Sequence, residues 1–87
     1  MPVVRTKRFD AAFFALRDQV VQKKVLKALR VLAENPRHPS LRVKPVQGTK
    51  GVWEARVDDQ YRMTFEMLGD SLILRNVDNH DDCLRNP

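Results

Sequence analysis

Eighty-seven residues, 43% hydrophobic and 31% charged with only 3 glycines, describe one globular domain spanning residues 1–87, near the lower size limit for a core built without disulfides or metal. The single cysteine, Cys83, excludes an intramolecular disulfide and fits a reducing compartment. No apolar run approaches the roughly 20 residues of a membrane span, and the N-terminus carries no signal-peptide core. The expectation is a cytoplasmic protein with no membrane partner. Its net charge of +5 is unevenly placed: residues 1–45 hold 11 Lys/Arg against 3 Asp/Glu, residues 46–87 hold 5 against 8. A basic front half suits a polyanion or an acidic protein partner, or it simply solubilises exposed helix faces.

Along the chain, VVRT at 3–6 is short and β-branched and predicts a strand. Thr6 is placed to cap a helix, because its hydroxyl can accept from a free N–H of the first turn. Phe9, Ala12, Phe13 and Leu16 follow as one apolar stripe. Asp18 is a second cap, and after it Val21, Val25, Leu29 and Leu32 form the buried side of a longer helix whose opposite side carries Lys23, Lys27 and Arg30. Asn35-Pro36 ends that helix, since a residue before proline is pushed out of helical geometry. LRVKPV (41–46) predicts an edge strand limited by Pro45. VWEARV (52–57), YRMTFEM (61–67) and SLILRNV (71–77) predict three more strands, joined by an Asp58-Asp59-Gln60 turn and a Gly69-Asp70 hairpin turn. The order β-α-α-β-β-β-β predicts an α+β fold: an N-terminal strand, a two-helix hairpin, then an antiparallel meander. Both helices should cover one sheet face and leave the other to solvent.

Strand alternation sorts the side chains. Trp53, Ala55, Val57, Tyr61, Met63, Phe65 and Met67 share the helix side, while Glu54, Arg56, Arg62, Thr64 and Glu66 share the open side. His80 follows the last strand and can reach that open face. A carboxylate, two guanidiniums and an imidazole would then converge on one concavity. RNA cleavage needs such a set. The 2′-OH is the nucleophile, so the protein need only remove its proton, stabilise the phosphorane and protonate the departing 5′-oxygen. Glu54 or an imidazole serves as base, the forks of Arg56 and Arg62 match phosphate oxygens, and His80 carries protons near neutral pH. Two histidines and one cysteine offer no zinc spacing, so no metal or cofactor is expected. The bland reading of the same residues is a cross-strand salt bridge on a solvated face, with His80 an exposed terminal side chain. Lys23, Lys27 and Arg30 are likewise either a solvated ridge or a docking surface.

The string GVWEARVDDQYRMTFEMLGDSLILRNVDNHDD, with its W-x-x-R strand, Y-R opening the next strand after an acidic turn, and a histidine following the last strand, resembles the RelE/ParE toxins of bacterial type II toxin–antitoxin modules. The similarity runs over nearly the whole chain and is nearest to the histidine-type, YoeB- and YafQ-like members. It implies a ribosome-dependent endoribonuclease that cuts mRNA and leaves a 2′,3′-cyclic phosphate, with a cognate antitoxin as partner and the ribosome and mRNA as targets. Arg62 falls at the family's phosphate-neutralising arginine, Arg56 at a commonly basic position, and His80 at the terminal proton-transfer histidine. The role of Glu54 as base comes from the strand geometry and not from the family pattern. The frequent terminal aromatic is absent: Asp81 follows His80, and Leu84 stands in the place of the aromatic. The alternative carried by the same fold is a ParE-like inhibitor of DNA gyrase without nuclease activity, which has no evident need of an Arg62/His80 pair.

Overall fold

A computed structural model describes residues 1–87. Strand β1 (Val3–Arg5) leads into α1 (Lys7–Ala15), and α2 (Gln19–Glu34) follows after a three-residue turn. Both N-caps form as the sequence requires: the Thr6 hydroxyl accepts from the Phe9 N–H at 3.0 Å, and the Asp18 carboxylate accepts from Val20 and Val21 at 2.9 and 3.3 Å. Between them Arg17 takes a left-handed conformation, φ 55°, which breaks α1 and redirects the chain. Asn35, before Pro36, ends α2.

The remaining elements are β2 (Lys44–Pro45), β3 (Val52–Arg56), β4 (Tyr61–Leu68), β5 (Ser71–Asn79) and a short α3 (His80–Arg85). They form one five-stranded sheet in the order β1-β5-β4-β3-β2. The meander from β2 to β5 is antiparallel, as expected, and β1 adds to its far edge in parallel with β5, Val4 opposite Ile73. The helical hairpin therefore carries the chain from one edge of the sheet to the other, which lays its apolar stripe across one face. Phe9, Val21, Val25, Ala28 and Leu32 of the helices close there on Ala55, Met63, Phe65, Leu72, Leu74 and Val77 of the sheet. Trp53 and Tyr61 are partly buried against the same cluster.

Two expectations need correction, on the edge strand and on the open sheet face, and one irregularity of the last strand was not foreseen. The strand expected over 41–46 shrinks to Lys44–Pro45, because Pro39–Leu41 wind into a 3-10 turn and Arg42 is left-handed, φ 45°. The last strand does not keep strict alternation: Thr64 faces Asn76 but Phe65 faces Leu74, so Arg75 is an extra residue in a β-bulge. That bulge lets Leu74 and Val77, three apart, both reach the core. Finally, the second sheet face is not left to solvent. Helix α3 lies against β4 and β5, burying Cys83 beside Thr64 and Asp78, and Glu54, Thr64 and Asn76 are themselves buried.

Candidate functional site

The polar face is built in two cross-strand rows. Lys44, Glu54, Thr64 and Asn76 stand opposite one another across β2 to β5, and Arg56, Arg62 and Asp78 form the next row. Directly opposed Arg56 and Arg62 put like charges side by side, a destabilising arrangement in a sheet unless an anion answers it. Local carboxylates and carbonyl dipoles do so in part. Arg56 pairs with Asp59. Arg62 donates through Nη1 to the carbonyl oxygens of Asp58 and Tyr61, and its Nε lies 4.0 Å from Glu54.

Glu54 is the centre of the arrangement. Its side chain is only 6% exposed, with Lys44 Nζ at 3.9 Å and Arg62 Nε at 4.0 Å. Both distances are too long for hydrogen bonds, so the carboxylate is held by charge and keeps acceptor capacity. Arg42, Lys44, Arg56 and Arg62 wall a hollow of about 270 Å³ around it. Four cations around one buried carboxylate leave the hollow strongly positive. An oxyanion such as a phosphate matches that field.

His80 lies next door. It opens α3, where the Asn79 side chain caps the helix by accepting from the Asp82 N–H at 3.0 Å, and its backbone N–H donates to the Gln60 carbonyl at 2.7 Å. That bond ties the start of α3 to the β3–β4 turn. The His80 ring is half-exposed, with Nδ1 3.1 Å from Asp81. With Lys44, Glu54 and Leu84 it lines a second hollow of about 400 Å³. The two hollows meet at Lys44 and Glu54, which line both.

The structure thus gathers Glu54, Arg56 and Arg62 in one hollow and sets His80 in the adjoining one. Lys23, Lys27 and Arg30 lie along α2, away from both hollows. Of these, Lys27 alone approaches the sheet, lining a hollow of about 500 Å³ with Lys24 and Arg56. Sequence reasoning missed Arg42 and Lys44. The only signal was for Lys44, a cation at the start of the edge strand that pairs opposite Glu54; Arg42, in a left-handed turn, had none. It also missed α3, announced by Asn79-x-x-Asp82 ahead of Cys83 and Leu84.

Local fields are uneven. Burial would raise the Asp58 carboxyl, but the Gln60 and Tyr61 N–H groups and the Lys24 ammonium outweigh it and hold Asp58 below its ordinary value. The Arg56 guanidinium does the same for Asp59. Burial pushes the Cys83 thiol up to about 11, so it is a packed side chain and no nucleophile near neutral pH.

No protein-family model matches the sequence, and no curated protein does. Solved structures do match. YafQ from E. coli strain BL21(DE3) superposes with a TM-score of 0.78 at 14% identity, covering 92% of this chain and 93% of that one. A YoeB/ParE toxin from Agrobacterium tumefaciens gives 0.75 at 22% identity, covering 92% and 99%. YafQ in the E. coli DinJ–YafQ complex gives 0.76 at 14% identity, covering 92% and 93%. Over nearly its whole length, then, this chain has the fold of the YafQ and YoeB toxins.

Proposed function

We propose that this protein is the toxin of a type II toxin–antitoxin module and a ribosome-dependent, metal-independent endoribonuclease acting on mRNA in the cytoplasm. The observation that carries the reading is the cationic hollow of Arg42, Lys44, Arg56 and Arg62 around buried Glu54, adjoined by His80. In the reaction, Glu54 takes the 2′-OH proton, the 2′-oxygen forms a bond to phosphorus, and the bond to the 5′-oxygen breaks. Arg62 and Arg56 neutralise the charge gathering on the phosphorane oxygens. His80, as imidazolium, gives its proton to the departing 5′-oxygen. The products are a 2′,3′-cyclic phosphate and a free 5′-hydroxyl.

Arg62 is half-prepared for this role, because two backbone carbonyls fix its fork and little side-chain entropy remains to be lost on binding phosphate. His80 sits a hollow away, and ribosome-held mRNA would bring the scissile bond between the two groups. The ridge of Lys23, Lys27 and Arg30 supplies the ribosome-facing charge. A cognate antitoxin is the expected protein partner, in keeping with the DinJ–YafQ toxin–antitoxin complex of the same fold.

Induced expression followed by mapping of mRNA 5′ ends tests the reading, with wild type set against Arg62→Ala and His80→Ala. Cuts clustered in translated codons and lost in Arg62→Ala support it. Growth arrest with intact transcripts and damaged chromosomes would replace it with gyrase inhibition.

A further inference from the structure

On the helix side of the sheet, where β3 runs past the end of α2, a groove of about 540 Å³ is floored by the partly buried Trp53, with the core residue Phe65 beneath it, and bounded by Pro36 and Pro39. Its size is that of a small-ligand site, and the two prolines hold its bank rigid. No carboxylate lines it. Its polar rim includes Arg37 and Arg42, and neither guanidinium takes part in any ion pair of the molecule. Arg42 has a second membership: it also walls the hollow that holds Arg62. Its left-handed backbone, φ 45°, sets the side chain at the sheet edge between the two.

An aromatic floor, free cations and a cation shared with a phosphate hollow form the pattern of a single-stranded nucleic-acid channel, where bases stack and the backbone tracks positive charge. We propose that this groove is a base-binding subsite: the nucleotide next to the phosphate held by Arg62 stacks its base on Trp53 while Arg42 and Arg37 hold its own phosphate. This rests on the reading above that the Arg62 hollow takes a phosphodiester. An acidic peptide also answers the charge, but the sharing of Arg42 with that hollow favours a strand continuous with the bound phosphate. Stacking is tolerant of base identity, so the subsite supplies grip with little sequence preference.

Trp53 is the only tryptophan, so its fluorescence reports on the groove alone. The probe is an end-labelled 2′-O-methyl hexaribonucleotide, which lacks the free 2′-OH and is not cleaved. Anisotropy of the label follows binding, and Trp53 emission follows stacking. We expect saturable quenching of Trp53 by the oligonucleotide and none by an abasic sugar–phosphate chain of equal length. Arg42→Asn, which suits the left-handed backbone while removing the charge, should weaken binding about tenfold. Arg62→Ala should weaken binding but leave the quenching at saturation intact. Binding with Trp53 emission unchanged, equal quenching by the abasic chain, equal or tighter binding of a polyglutamate peptide, or no saturable binding up to millimolar oligonucleotide would each overturn the subsite. Quenching together with intact transcripts in the expression assay would instead remove the nuclease and leave the subsite standing.

Discussion

On the sheet face covered by α1 and α2, Ala55, Met63, Phe65, Leu72 and Leu74 are at most 1% exposed. On the opposite face, alternate residues of the same strands keep charge: the Arg62 side chain is 16% exposed and that of Arg56 27%. The first set makes only dispersion and hydrophobic contacts, which grow with buried area. The second set gathers like charges around one carboxylate, an arrangement with no gain in stability by itself. Neighbouring residues in one strand therefore do different work. One face holds the fold together, and the other stores a field that an anion can use.

Truncation on the apolar face should show the largest effect. Phe65→Ala leaves a cavity beneath α2 and should cost about 3–5 kcal/mol, a large part of the roughly 5–15 kcal/mol available to a domain. Urea titration followed by circular dichroism checks it, and a loss below about 1 kcal/mol would mean that the core is not centred there. Arg62→Ala should do the reverse. On the nuclease reading proposed above, we expect mRNA cleavage to slow on the order of 10²-fold, while the unfolding free energy from urea titration changes by about 1 kcal/mol or less. Wild-type cleavage by that variant would take the phosphate away from Arg62.

Cys83 tests whether the polar face is truly closed where α3 covers it. Burial raises its thiol from 9.0 to about 11, so at pH 8 the native chain holds about a hundredfold less thiolate than the unfolded one. Alkylation by iodoacetamide at pH 8 should slow by about that factor and speed up once urea unfolds the chain. Because the native state keeps the proton more tightly, this contribution to stability is complete below pH 9 and is lost as pH rises towards 11. Fast alkylation of the native protein would place α3 away from the sheet.

How much of this was readable in the residues follows from the range of the forces. Caps and pre-proline stops act within four residues, so Thr6, Asp18 and Asn35 were readable one by one. Alternation was readable through β3 and β4, which kept Trp53, Met63 and Phe65 apart from Glu54 and Arg62. No sides were assigned in β5, and alternation could not have been carried through it: the bulge at Arg75 reverses the parity, and a bulge is set by the partner strand. The parallel pairing of β1 with β5 is a contact across 69 residues, Val3 to Leu72, and no local pattern records it. The site followed the same rule. Arg56, Arg62 and Glu54 were within reach of strand parity, whereas Arg42 and Lys44 entered only through a left-handed turn and a two-residue edge strand.

Removal of a helix cap affects both faces alike and should destabilise much less than the loss of Phe65. Asp18→Ala deletes the acceptor for the Val20 and Val21 N–H groups and should cost about 1 kcal/mol. Thermal melts should show it as a lower Tm, with the proposed mRNA cleavage unchanged below the melt. A loss of cleavage at constant stability would tie α2 to the chemistry rather than to the frame.

The smallest effect is expected at Thr64, the polar residue buried most deeply on the charged face. Its hydroxyl has no hydrogen-bond partner at bonding distance, though it lies near enough to Cys83 to offset a little of the rise in that thiol. A buried hydroxyl that makes no bond has already lost its hydration, so replacing it with a methyl of nearly the same size removes a penalty and no contact. Valine is also β-branched and suits the centre of a strand. Thr64→Val should therefore leave the unfolding free energy unchanged or raise it by about 0.5 kcal/mol, and leave the rate of the proposed mRNA cleavage as it was. A drop of more than about 1 kcal/mol would show that the hydroxyl is bonded in solution, through water or through Cys83, and that the polar face holds the fold together as well as the charge.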